Sequence, residues 1–211
     1  MLVEGRVGPV TGADGASGTI SLDRSGAQRI AQAHGEWWEP ACRGNVFYGS
    51  TAVAGVDHAA SLTTTAPFAL YNPRGSDVDL VVLSLSMGYI SGTLGAGTIV
   101  AASYVEAAVN AAPTGTAIVA GSTRLGLGVP KGRALTTVTL TAGALIMFPL
   151  WDIDAKLATT AVQNFVCPID INGAIIVTPG TALVLAGVAG AAGSTPRVVF
   201  GAIWEEVARS S

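Results

Sequence analysis

Charge is scarce in this chain. Asp, Glu, Lys and Arg make up 12% of its 211 residues, against about 25% in ordinary soluble domains. A lone soluble chain so poor in charge would show broad uncharged patches, which such proteins tend to avoid. The deficit therefore points to a surface covered by copies of the chain or by partners. With a net charge of -3 and arginines scattered singly, no basic stripe exists to displace counterions from phosphates, which argues against nucleic-acid binding. Cys42 and Cys167 lie far apart, with no CxxC or Cys/His spacing. Neither a zinc site nor a disulfide scaffold is expected, and folding in a reducing cytosol suits the count.

Other absences narrow the field further. The histidines are His34 and His58, and no GxSxG elbow accompanies the many serines, so a Ser/His/Asp triad lacks its local signature. Aromatic residues are only 6%, too few for the girdles of a membrane β-barrel. Two long uncharged runs, Leu80–Val105 and Ile171–Pro196, are broken by Gly, Ser and Thr and lack Lys/Arg flanks, so no membrane span is expected. Met1 to Arg6 offers neither a basic nor an apolar signal region. No segment shows a 3.6-residue apolar period, so helix content should be low.

What is present is a succession of short strands with turns between them. The expected strands are Val46–Ser50, Thr64–Tyr71, Asp79–Ile90, Thr98–Glu106, Thr116–Ala120, Leu135–Thr141, Ala144–Leu150, Phe165–Ile169, Ala174–Val177, Ala182–Val188 and Arg197–Val207. Their spacing is that of a sandwich or barrel. Thr178-Pro179-Gly180-Thr181 carries the chemistry of a type II turn, with Pro second and Gly third. Asn72-Pro73-Arg74-Gly75-Ser76 reads as a loop, and Gly88–Gly97 as a hairpin connection. In Asp79–Ile90, alternation places Val81, Leu83, Leu85, Met87 and Tyr89 on one face, with Ser84, Ser86 and Gly88 on the other. In Leu135–Thr141, Val138 and Leu140 point inward. The last strand is apolar on both sides, Val199 and Ile203 opposing Phe200 and Trp204. Such a strand is central, or another subunit covers it.

Residues 1–44 are expected to be an arm and 45–211 the β domain. The arm opens Gly-rich, with Gly5, Gly8, Gly12, Gly15 and Gly18, and such a segment can bury little. Its end, His34 to Tyr48, holds Trp37, Trp38 and Arg43. Neighbouring residues of a strand point to opposite faces, so the two tryptophans suit a plug set into a groove better than one flat platform.

Tests for chemistry return little. Gly126-Leu127-Gly128-Val129-Pro130-Lys131-Gly132 has a lysine on the wrong side of its last glycine for a phosphate loop. Asp152 and Asp154, with Asp170 further on, could serve calcium or glycosidic chemistry, but the remaining ligands of a calcium loop are missing and a solvated loop is the plainer reading. Glu205 and Glu206 fall on opposite faces of the last strand. The inward one needs a partner such as Arg197 or Arg43.

Three pieces together resemble a known family: His34-Gly35 with the aromatic pair and Arg43-Gly44-Asn45-Val46-Phe47; Ala69-Leu70-Tyr71-Asn72-Pro73 with Gly75-Ser76; and Thr178-Pro179-Gly180 with Trp204-Glu205-Glu206-Val207. The family is that of the small all-β virion proteins of tailed bacteriophages. The resemblance, which runs from about His34 to Val207, implies an antiparallel, jelly-roll-like β-sandwich without catalytic residues, cofactor or metal; the Gly-rich start departs from the family's pattern, and the extended arm is read from the residues alone. It implies a head decoration (cement) protein or a tail-associated one, folded in the host cytoplasm and then held in the virion. The expected partners are copies of the chain, in a homotrimer, and the major capsid protein or another virion protein. Interface candidates are Trp37, Trp38, Arg43, Phe200, Trp204 and Glu205. The competing function is a tail or fibre module that binds host surface glycans, stacking them on Trp37, Trp38 or Trp151. A hydrolase built on Asp152, Asp154 or Asp170 is the third reading.

Overall fold

The structure is a computed structural model and describes residues 37–58, 64–92, 97–126, 128–153, 166–189 and 196–209. The chain divides between Trp38 and Glu39, and the fold below belongs to the second unit. Of the arm expected over residues 1–44, residues 1–36 lie outside the described residues.

The architecture follows from four nested antiparallel pairings. The outermost joins β1 (Val46–Ser50) to β12 (Arg197–Ala208). Within it, β3 (Thr65–Asn72) pairs with β11 (Thr181–Ala189), and β4 (Val78–Ser91) with β10 (Val166–Val177). Innermost, β5 (Gly97–Val105) pairs with β9 (Leu145–Ile153). This is one long antiparallel ribbon rolled upon itself. Rolling places alternate pairs in different sheets, giving β10-β4-β12-β1 in the first and β3-β11-β5-β9 in the second. Short strands extend both sheets. β2 (Val56–Asp57) and β7 (Gly121–Ser122) join the first; β6 (Thr114–Ala117) and β8 (Arg133–Thr139) join the second beside β3.

The expected all-β antiparallel sandwich is thus the fold, and its core lies between the two sheets. Phe47, Leu80, Val82, Leu85, Met87, Phe200 and Trp204 meet Phe68, Leu70, Ile99, Trp151, Leu183 and Leu185. The second sheet is buried on its other side as well, where Ala69, Tyr71, Ala102, Tyr104, Val184 and Ala186 cluster with Leu135, Val138 and Leu140. That is why its strands read as continuous apolar runs rather than alternating ones.

Local chemistry sets several joints as expected. Thr181 N–H donates to Thr178 O at 3.1 Å and Gly180 has φ 79°, the positive φ that a type II turn demands at its third residue. At the same corner the Asn72 side chain is fully buried. Its Nδ2 donates to Val78 O and Val177 O, both at 2.9 Å, binding the β3–β4 crossing to the end of β10.

Other joints differ from expectation, each for a physical reason. The two strands expected at Phe165–Ile169 and Ala174–Val177 are replaced by a single strand, β10, which among the described residues runs Val166–Val177 and is bent by a register shift between Asp170 and Ile175. Asn172 and Gly173 there adopt φ 49° and 82°, so an Asn-Gly pair that often turns a hairpin makes a bulge instead. In β4 the pairing with β12 slips between Val82 and Ser84, leaving Leu83 as an extra residue. Leu80 and Val82 are therefore core residues and Val81 faces outward, the reverse of the simple alternation. The Gly88–Gly97 stretch leads from β4 in the first sheet to β5 in the second, so it crosses the sandwich and is no hairpin. The last difference is α1 (Trp38–Arg43), a helix where extended chain was expected. Glu39 and Arg43, one turn apart, pair at 2.7 Å. Gly44 N–H and Asn45 N–H then close the end on Ala41 O and Pro40 O, the double bond of a Schellman ending.

Candidate interaction surface

The first sheet turns one side to the core and the other outward, and the outward side is built by residues held in register across four strands. One row runs Ile176, Val81, Glu205, Val46; the next runs Asp170, Ser84, Ile203, Tyr48 and reaches Gly121. Beyond them lie Ser86 beside Gly201, and Gly88 beside Val199. Apolar side chains stand exposed here. Ile176 is 55% exposed, Tyr48 43% and Ile203 37%, and Val207 is similar. Between them the floor is Ser and Gly. Two of these glycines answer to their neighbours: a Cβ on Gly201 would lie 2.7 Å from Ser86 Oγ, and one on Gly121 2.9 Å from the Tyr48 ring. Gly88 answers to nothing among the described residues, since a Cβ there would meet no atom of theirs within 4 Å.

The interface candidates separate on this frame. Phe200 and Trp204 are 0% exposed, with the Trp204 ring 6.2 Å from that of Phe47. They are core residues and cannot touch another subunit; the phase of β12 sends Val199 and Ile203 outward in their place. Glu205 does reach the outer face. Burial raises its carboxyl above the usual carboxylate range, and the Arg43 guanidinium draws it part of the way back. Arg43 itself, on α1, bonds Glu39. Trp37 is half-buried and Trp38 exposed. The surface residues that sequence reasoning missed are Tyr48 and Ile176. The only available signal was alternation, and the bulge at Leu83 scrambles it for β4.

The remaining charged groups are engaged in holding the fold. Glu206 is the inward one of the pair, and its partner is backbone and not arginine. It accepts Gly132 N–H at 2.8 Å and Lys131 N–H at 3.1 Å. The Gly-rich loop that fails as a phosphate cradle thus receives the chain's own carboxylate. Glu106, at the end of β5, accepts the Tyr71 hydroxyl at 2.6 Å and lies 3.2 Å from Arg74 Nε. Of the aspartates considered for hydrolysis, Asp152 lies in β9, Asp154 lies outside the described residues, and Asp170 is exposed on β10. His58 is buried, with Nδ1 3.4 Å from Asp57; His34 lies outside the described residues. Among the described residues no three of His, Cys, Asp and Glu gather as a metal site would need, and no helix is long and apolar enough to cross a membrane. What the arrangement offers chemically is a partly apolar plate. Comparison with protein-family models, curated proteins and solved structures found no match.

Proposed function

We propose that this chain is a non-enzymatic structural subunit of a virus particle, a capsid decoration protein that associates with its own copies, as a trimer, and clamps the shell beneath. The observation that carries the reading is the outer plate of the first sheet, where Tyr48, Ile176 and Ile203 stand exposed around a floor of Ser and Gly. Exposed apolar surface of this kind marks association. The nested pairing of eight strands supports the same reading, taken as a jelly roll, an architecture common in viral capsid domains. Lectins use that architecture too, and fold alone does not choose between them. The plate favours assembly, because one stacking candidate for glycans, Trp151, is buried in the core.

The test is the composition of particles. Virus particles purified by density from the material that encodes this chain should contain it in a fixed ratio to the major capsid protein, measured by quantitative mass spectrometry. Recovery of the chain only from the unassembled protein fraction would overturn the proposal.

A further inference from the structure

We infer that the outer face of the first sheet is the surface a second copy of this chain covers, with Gly88 kept small for that contact. The inference rests on the self-association just proposed and assigns it a place. Three observations meet there. The first is side-chain chemistry: Tyr48, Ile176, Ile203 and Val207 are all exposed and all belong to this face. By contrast the opposite side of the sandwich is already filled, Ala69, Ala102, Val184 and Ala186 being 0% exposed.

The second is area. Four strands about 4.8 Å apart, running about ten residues at about 3.4 Å each, make a plate of about 650 Å². Two such surfaces together bury about 1,300 Å², within the range of stable interfaces, about 1,200–2,000 Å². A peptide would cover only part of it, whereas a neighbouring copy covers it with an equal area of a different face, the head-to-tail contact that a closed trimer requires. The face carries three carboxylates, Asp79, Asp170 and Glu205, of which Asp79 lies 3.6 Å from Arg209.

The third is Gly88. A glycine inside a strand weakens it, costing backbone freedom and contributing no side chain. Gly88 does not occupy the left-handed region and, among the described residues, has nothing within 4 Å of its missing Cβ, so neither its backbone nor packing against those residues requires it. Close approach of a neighbour does. It lies on β4, an interior strand flanked by β10 and β12.

The open space around Gly88 makes the test clean, because a long side chain there leaves the packing of the described residues untouched. Sedimentation velocity of the full chain, over a concentration series reaching about 100 µM, should show an oligomer. Gly88→Lys should raise its dissociation constant at least about tenfold, with unchanged circular dichroism. Ile203→Lys should act in the same direction, and Leu145→Lys, exposed on β9 of the second sheet, should not. An oligomer that withstands both Gly88→Lys and Ile203→Lys overturns this placement and leaves self-association standing. A wild-type chain that stays monomeric throughout overturns both the placement and the self-association, while the particle assay still decides whether the chain belongs to a virion.

Discussion

Single residues carry more of this fold than the low charge count suggests, because the few carboxylates are placed where backbone needs them. Glu206 is 8% exposed and takes the N–H groups of Lys131 and Gly132. Replacing it with Ala strands the buried Gly132 N–H, worth about 1–3 kcal/mol, while the partly buried Lys131 N–H can turn to water. Glu206→Ala should therefore lose about 1–3 kcal/mol in urea unfolding, with Glu206→Gln losing less because it keeps an acceptor. Tyr71 offers a test by pH. Its burial, together with the hydrogen bond to Glu106, pushes the hydroxyl up from 10.0 to about 12. Between those values the unfolded chain has lost a proton that the folded chain keeps, so stability falls as pH rises. The advantage of wild type over Tyr71→Phe should be full below pH 10 and fade toward pH 12, read from chemical denaturation at each pH. An advantage that stays constant across that window would refute the assignment.

At the scale of elements, the residues that were legible in the sequence are those whose signal is local. Thr178-Pro179-Gly180-Thr181 specifies its turn by itself, and Val46–Ser50 falls where its composition put it. The α1 helix also had local signs, in Glu39 and Arg43 four apart and Gly44 at the end, but six residues are too few for an apolar period to show. What stayed hidden depends on partners distant in sequence. The slip at Leu83 is decided by β12, more than a hundred positions away. It inverts which half of β4 faces the core, so the plate could not be read from alternation. Likewise both sides of β12 are apolar, and only the fold distinguishes Phe200 and Trp204 inside from Val199 and Ile203 outside. β9 gives a prediction at this scale. It ends the second sheet, paired among the described strands with β5 alone, and its Leu145, Ile146 and Met147 are all exposed. Exposed apolar edges invite aggregation, and a charge blunts them. Ile146→Lys should lower light scattering on heating while changing stability by less than about 0.5 kcal/mol. Unchanged scattering would show that this edge is not the sticky one.

For the whole molecule, the nesting determines what can be removed. The outermost pairing, β1 with β12, closes the β domain, so every described strand of the two sheets lies between Val46 and Ala208. Burying a large apolar side chain contributes roughly 1.5–3 kcal/mol, and fixing one residue costs about 1–2 kcal/mol of backbone entropy. Residues 1–18 have no aromatic side chain and only Met1, Leu2, Val3, Val7 and Val10 to set against that cost over eighteen residues. Residues from Glu39 onward do have anchors: Arg124 donates from its side chain to Cys42 O, and Glu206 N–H donates to Asn45 O at 2.8 Å. Deleting residues 1–18 should then leave the melting temperature unchanged within about 2 °C while weakening attachment to the particle. Deleting residues 1–43, which takes α1 as well, should lower it by about 2–6 °C, the equivalent of about 1–2 kcal/mol in a chain of this size. Calorimetry of the two truncated chains, with co-sedimentation on particles, reads both effects. If the shorter deletion already destabilises the domain as much as the longer one, the start of the chain is part of the fold and not an arm for assembly.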